Sequence, residues 1–180
     1  MSRLQRLHLR DTKIGGTIPD SIESLTNLEY WYQDNGQLTG SIPGGLAGMT
    51  ALLDLFFNNQ PDLEGPMPDG IGNCTRLKFL GLAGTGLAGT LPDALGALSG
   101  MDYMYLSDTR ISGSLKDVIV SSMRRMRALA IGNTGLAGTL PDALGYLQSM
   151  QHLLLGNTKN TGTIPAAPWS SMRWLRELDL

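Results

Sequence analysis

The sequence predicts an α/β solenoid. Short repeating units stack so that one parallel β-sheet lines the concave side and short helical or 3-10 segments line the convex side. Two observations carry this expectation. Apolar residues at Leu4, Leu28, Leu52, Leu77, Met101, Met126, Met150 and Leu175 open eight copies of one pattern, spaced 24 or 25 residues apart. Within each copy, apolar residues recur three and five positions on, as in Leu7 and Leu9, Leu80 and Leu82, or Leu129 and Ile131. One member of the fifth-position set is polar, Gln33. Self-similarity at such a period marks a repeat architecture, because no single unit can bury its own apolar face. The expected organisation is one domain over residues 1–180, with seven full repeats opening at 4, 28, 52, 77, 101, 126 and 150 and a partial eighth at 175. The chain opens on the first residues of a repeat and stops at Leu180 inside the eighth strand, so it reads as part of a longer protein. Copies are expected to associate end to end through bare apolar layers.

Each element follows from its residues. In the fourth repeat, LKFLGL (77–82) alternates with period two and predicts a short strand with one face inward. Strands from successive repeats then pair at about 4.8 Å. The motif LAGTLP (87–92) follows, matched by IGGTIP (14–19), LTGSIP (38–43), LAGTLP (136–141) and a degraded NTGTIP (160–165). Its Leu or Ile residues are core positions, its Gly allows a bend, and its Pro stops backbone pairing and starts the next helical turn. Asp20, Asp69, Asp93 and Asp142 follow the Pro, where a carboxylate suits a helix start. Repeat five departs from the pattern. Lys116 replaces the Pro and DVIVSSMRRM follows, which predicts a longer helix there.

The repeating LxGxIP element resembles the plant-type subclass of leucine-rich repeats, and the resemblance covers the whole chain. It implies a second short sheet beside the concave one and a right-handed twist. The eighth position of each repeat, where that subclass commonly has Asn, holds Thr12, Gly36, Gln60, Thr85, Thr109, Thr134 and Thr158. A Thr hydroxyl both donates and accepts, so a ladder of hydroxyls running along the stack is expected. This Thr slot, with GTLP and PWSSM (Pro168 to Met172), is similar to repeats of trypanosomatid surface proteins of the promastigote surface antigen kind. That implies a place outside the cell. IGNCTRLKFL (71–80) resembles plant receptor-kinase ectodomains instead.

Composition narrows the function. Lys and Arg number 14 against 16 Asp and Glu, a net charge of −2, so there is no electrostatic footprint for nucleic acid. No apolar run is long enough for direct membrane insertion of this segment. Cys74, the one cysteine, occupies a slot filled elsewhere by Leu25, Met49, Leu98 and Leu147, and reads as a buried thiol. The GTGLAG run (84–89) spells a phosphate-loop pattern, but the sixth repeat carries the matching GNTGLAG, so it is repeat punctuation. His8 and His152 stand six strand spacings apart, on the order of 29 Å, and cannot share a metal. No nucleophile, base and orienting residue converge in adjacent repeats, so the chain reads as no enzyme and needs no cofactor. Asn73-Cys74-Thr75 is a glycosylation sequon on the convex side. Arg124, Arg125 and Arg127, with Arg110 a turn away, form a small basic cluster. Trp169 fills a convex core slot, and Trp174 is expected to be partly exposed.

The concave face carries the remaining signal. The second and fourth positions of repeats two to five point outward and hold Tyr30, Tyr32, Phe56, Phe79, Tyr103 and Tyr105. Repeats six and seven offer a smoother floor at Ala128, Ala130, Gly132 and Leu154. Aromatic side chains favour strands for structural reasons, and they are also enriched as interface anchors. These six residues are the expected ligand-binding set, with a shallow pocket where Gly81 interrupts the fourth-position row between Phe56 and Tyr105. The expected function is a non-catalytic recognition or adhesion module of a cell-surface or secreted protein, binding protein or glycan on its concave face. The alternative is an intracellular scaffold that ties an assembly together.

Overall fold

The computed structural model describes residues 3–163, 169 and 171–180. Strands are numbered along the chain, odd in one sheet and even in the other. The concave sheet runs β1 (Arg6–His8), β3 (Tyr30–Tyr32), β5 (Asp54–Phe56), β7 (Phe79–Gly81), β9 (Tyr103–Tyr105), β11 (Ala128–Ala130), β13 (His152–Leu154) and β15 (Glu177–Asp179), all parallel. Beside it lies a seven-stranded sheet of β2 (Gly15–Thr17), β4 (Gln37–Ser41), β6 (Leu63–Gly65), β8 (Gly86–Thr90), β10 (Arg110–Gly113), β12 (Gly135–Thr139) and β14 (Lys159–Thr161). This is the second sheet that the LxGxIP element implies. Its bend needs glycine: Gly89 has φ +86°, a left-handed value where a side chain would be strained. Parts of NTGTIP and PWSSM lie outside the described residues.

The register of the concave sheet is in step from β1 to β15. Arg6 pairs with Tyr30, Tyr30 with Asp54, Asp54 with Phe79 and Phe79 with Tyr103, so equivalent positions of successive repeats form straight rows. The inward positions make one continuous core in which Leu55, Leu80 and Leu153 are fully buried. Cys74 is likewise 0% exposed, as its slot predicts, and burial alone raises its thiol to about 11. Trp169 is packed half-buried against this core, whereas Trp174 is largely exposed.

On the convex side the segments Asp20–Ser24, Gly44–Gly48, Asp69–Asn73, Asp93–Ala97 and Asp142–Tyr146 are 3-10 turns, each begun by a proline in extended conformation. Repeat five instead forms α1 (Asp117–Ser122), the one α-helix among the described residues. Lys116 stands ten residues before Met126, where Pro92 stands nine before Met101. The extra residue of this 25-residue repeat is therefore taken up by the wider helical turn. Repeat three places its extra residue elsewhere: Leu63 lies eleven after Leu52, against ten from Leu77 to Leu87, so a surface turn absorbs it. Lys116 keeps the extended conformation of the prolines it replaces, and its Nζ lies 2.6 Å from Asp93 Oδ1 of the preceding repeat.

The threonines do not form a ladder along the stack. Thr12, Thr85, Thr109 and Thr134 each donate within their own repeat, to the carbonyls of Leu9, Leu82, Leu106 and Ile131 at 2.7–2.9 Å. A hydroxyl on Cβ reaches only the turn that carries it. The ladder runs one position earlier, through Asp11, Asn35, Asn59, Asp108, Asn133 and Asn157, all at φ between +54° and +58°. Asn35 donates to Asp11, Asn59 to Asn35, Asn133 to Asp108 and Asn157 to Asn133, at 2.7–2.8 Å. Gly84 occupies this position in repeat four.

Repeat two has glycine at the threonine position, and Gln60 of repeat three covers it. The Gln60 amide donates to the Gln33 carbonyl and its oxygen accepts the Leu38 N–H at 2.8 Å. These match the bonds Thr134 makes to Ile131 and Leu136. A Cβ on Gly36 would stand 2.7 Å from Gln60 Nε2, so only glycine lets the longer side chain through. The Gln33 side chain, buried in the core row, accepts from Trp31 Nε1 at 3.3 Å. A side-chain donor, rather than a backbone turn, is what makes it tolerable there.

Candidate functional site

The six aromatics expected on the concave face all lie there, half-buried, in one run of ring contacts. Alternation along β3 and β9 presents two rings from each strand, and the in-step register lines them up across strands. His8 and Tyr32 have centroids 4.8 Å apart, Tyr32 and Phe56 5.4 Å, Phe56 and Phe79 6.4 Å. Phe79 and Tyr103 are stacked at 4.8 Å with 7° between planes, and Tyr105 follows at 6.3 Å. Tyr30 joins through Tyr32. Such pairs contribute about 0.5–1.5 kcal/mol each beyond area burial, so the run also stiffens the sheet.

The expected pocket at Gly81 is closed. A Cβ at this residue would stand 2.5 Å from Phe56 Cδ1 and 2.7 Å from Asn58 Nδ2. The Phe56 ring leans along the row and covers the glycine, so the missing side chain is replaced by a neighbour's rather than by a gap. Farther along, Ala128 and Ala130 are 5% and 7% exposed, and they form a low floor beside Tyr103 and Tyr105.

The band has polar members that the aromatic pattern alone does not reveal. Arg10 lies with its guanidinium 4.2 Å from the Tyr32 centroid and 5.5 Å from that of Phe56, while Nε contacts Asp34 Oδ2 at 2.6 Å. Asp34 Oδ1 accepts the backbone and side-chain amides of Asn58 at 2.9 and 2.8 Å, and Asn58 Oδ1 accepts the Ala83 N–H at 2.9 Å. A third row, six positions into each repeat and just past the strand ends, is thus tied across four repeats. On the opposite edge Arg6 lies 5.2 Å from the Tyr30 centroid. Asp54 sits between Tyr30 and Phe79 in their row and accepts the Tyr32 hydroxyl. Burial, then this bond and the Asp54 charge, raise the Tyr32 phenol to about 12 despite the opposing pull of Arg10. Burial also raises Tyr105, with Tyr103 adding to it. Asp54 was legible as the one acidic residue at position two among the aromatic repeats, and Asp34 only through the sixth-position row.

Elsewhere, the arginine cluster is dispersed. Arg124 stands over Tyr146 at 5.3 Å, Arg125 is 3.9 Å from Asp102, and Arg110 reaches Glu64 at 4.0 Å on the second sheet. His152 is 2.9 Å from Glu177 and His8 is in the ring run, so the two histidines belong to separate contacts. Asn73 is exposed at the end of its 3-10 turn, where its amide donates to the Ala47 carbonyl at 3.4 Å. No helix among the described residues is long and apolar enough to cross a membrane.

Comparison with known proteins agrees with this architecture. Residues 3–25 match the leucine rich repeat family model. The chain is 31% identical over 98 residues to receptor protein kinase WSS1 of rice (Oryza sativa subsp. japonica), covering 42% of this chain and 11% of that protein. It therefore spans about a tenth of this curated relative. Among solved structures, the ectodomain of the Arabidopsis thaliana receptor kinase GASSHO1/SCHENGEN3, in complex with CASPARIAN STRIP INTEGRITY FACTOR 2, superposes with TM-score 0.86 at 27% identity. The match covers 95% of this chain and 20% of that one. The plant peptide hormone receptor RGFR1, in complex with RGF2, gives TM-score 0.67 at 25% identity over 98% of this chain and 36% of the other. In fold, the chain matches the leucine-rich-repeat solenoids of these structures.

Proposed function

We propose that this chain is a recognition module of a cell-surface or secreted protein, holding an extended peptide segment across the aromatic band of its concave face. The observation that carries the reading is the unbroken run of rings from an exposed His8 through half-buried Tyr32, Phe56, Phe79, Tyr103 and Tyr105, with carboxylates set among them. Rings of this kind are the usual anchors of protein interfaces. A band of four strands, about 15 Å by strand spacing, suits an extended segment better than a compact metabolite. Structural neighbours solved in complex with CASPARIAN STRIP INTEGRITY FACTOR 2 and with RGF2 support the class of function. The proposal includes a kinship of the Thr-bearing repeats with trypanosomatid surface antigens, and Asn73, exposed on its convex turn, as a glycan acceptor. One repeat domain within a longer protein completes the proposal.

A triple change, Tyr32→Ala, Phe56→Ala and Tyr105→Ala, tests it after circular dichroism has confirmed the fold. Each ring is worth on the order of 1–2 kcal/mol of contact, so binding of a peptide selected on the wild-type protein should fall at least a hundredfold. Binding that persists, and instead responds to changes around Arg124, would put the ligand on the convex side. Selection of glycans and no peptides on an array would replace the ligand class while keeping the face.

A further inference from the structure

Two carboxylates stand within the aromatic band, and the protein treats them differently. Asp34 is paired: the Arg10 guanidinium contacts it at 2.6 Å while lying over Tyr32 and Phe56. Asp54 has no basic nitrogen within 4.0 Å among the described residues. One of its oxygens accepts the Tyr32 hydroxyl, and the other has no donor among the described residues. The register fixes its surroundings. Tyr30 and Phe79 flank it in the same row, Phe56 follows two residues on in its own strand, and Tyr32 supplies the hydroxyl from the neighbouring strand. A negative charge is thus set among four electron-rich rings on a face otherwise read as a ligand surface.

We propose that Asp54, with Tyr30, Tyr32, Phe56 and Phe79, is the seat for one arginine side chain of an extended peptide ligand. This rests on the concave-face reading given above. The chemistry favours a cation because a carboxylate and aromatic faces attract it together, and partial burial strengthens both. It favours a guanidinium over an ammonium because a planar fork can stack on a ring and still give two N–H donors to one carboxylate. The chain's own Arg10 already joins a carboxylate to the same two rings, its guanidinium lying near Tyr32 and Phe56 while its Nε–H donates to Asp34. A divalent metal is a poor fit, since one carboxylate among apolar rings offers too few oxygens. From this seat the Phe79–Tyr103 stack and Tyr105 continue along the sheet, so apolar side chains should lie to one side of the arginine in the bound segment.

The test is selection of a random linear peptide library on the immobilised protein, run in parallel on wild type, Asp54→Asn and Tyr103→Ala. Wild type should enrich peptides carrying arginine beside apolar residues. The best of these, synthesised, should bind Asp54→Asn on the order of ten to a hundredfold more weakly, and replacing its arginine should cost a similar factor. Asp54→Asn retains an acceptor for the Tyr32 hydroxyl, and circular dichroism verifies its fold. Peptides without arginine enrichment, or equal affinity for wild type and Asp54→Asn, would overturn the arginine seat. If Tyr103→Ala still weakens those same peptides, the concave-face reading stands without it. Binders indifferent to Tyr103→Ala as well as to Asp54→Asn would overturn both.

Discussion

Removing the Gln60 amide would leave two buried backbone groups of the preceding repeat, the Gln33 carbonyl and the Leu38 N–H, without the partners they now have. Unmet buried groups cost about 1–3 kcal/mol, so Gln60→Ala should destabilise by that order in urea unfolding, and more than Thr85→Ala. Thr85→Ala removes one bond made within a single turn. At Cys74 the expectation is inertness. Its side chain is fully buried and its thiol is pushed up to about 11, so native protein at pH 8 should resist alkylation until it unfolds. Because the folded value lies above the ordinary 9.0, its stabilising contribution is complete below pH 9 and is lost as pH rises towards 11. The residue scale is also where sequence reading reached least far. A threonine and an asparagine one position apart exchange roles here, because reach depends on side-chain length and on the left-handed backbone at Asp11 and its counterparts. Six Asn or Asp residues in one slot were a visible signal of that backbone, since these residues tolerate it better than others.

Among the strands, the aromatic run makes a spectroscopic prediction. In an absorbance titration Tyr32 should ionise near pH 12. Its raised value means that the protonated phenol favours the fold, fully below pH 10, with that contribution lost as pH rises through 12. Asp54→Asn should lower this value only in part, because burial is the larger cause. On the convex side, α1 absorbs one residue more than the 3-10 turns do. Deleting Ser121 should return that segment to the common length and lower Tm by a few degrees at most, whereas deleting Ala94 from Asp93–Ala97 should lower it far more. Strand positions and the six rings were legible because alternation fixes which way each Cβ points. The covered Gly81 was not, because the lean of the Phe56 ring along its row depends on a neighbouring strand.

Across the whole stack, stability is a sum of repeat and interface terms, and depth along the solenoid decides how much a change costs. Leu80 is fully buried with repeats on both sides, and Leu80→Ala should cost about 2–5 kcal/mol. Leu7, only half-buried, should cost less, and native-state amide exchange should be slowest in β5, β7 and β9. The fold as a whole was legible from spacing alone, since any chain that repeats its apolar slots in step must stack. One joint, however, changes what counts as a unit. Tandem arrays lengthen and shorten by copying or losing whole modules, which works only where each module closes its own turns. Repeat two does not, because the group that closes it is encoded one module later, at Gln60. A recombination event that parted Gly36 from Gln60 would leave an open turn on one side and an amide with no site on the other. Through that joint, repeats two and three should be inherited, duplicated and transplanted together, as a single heritable cassette.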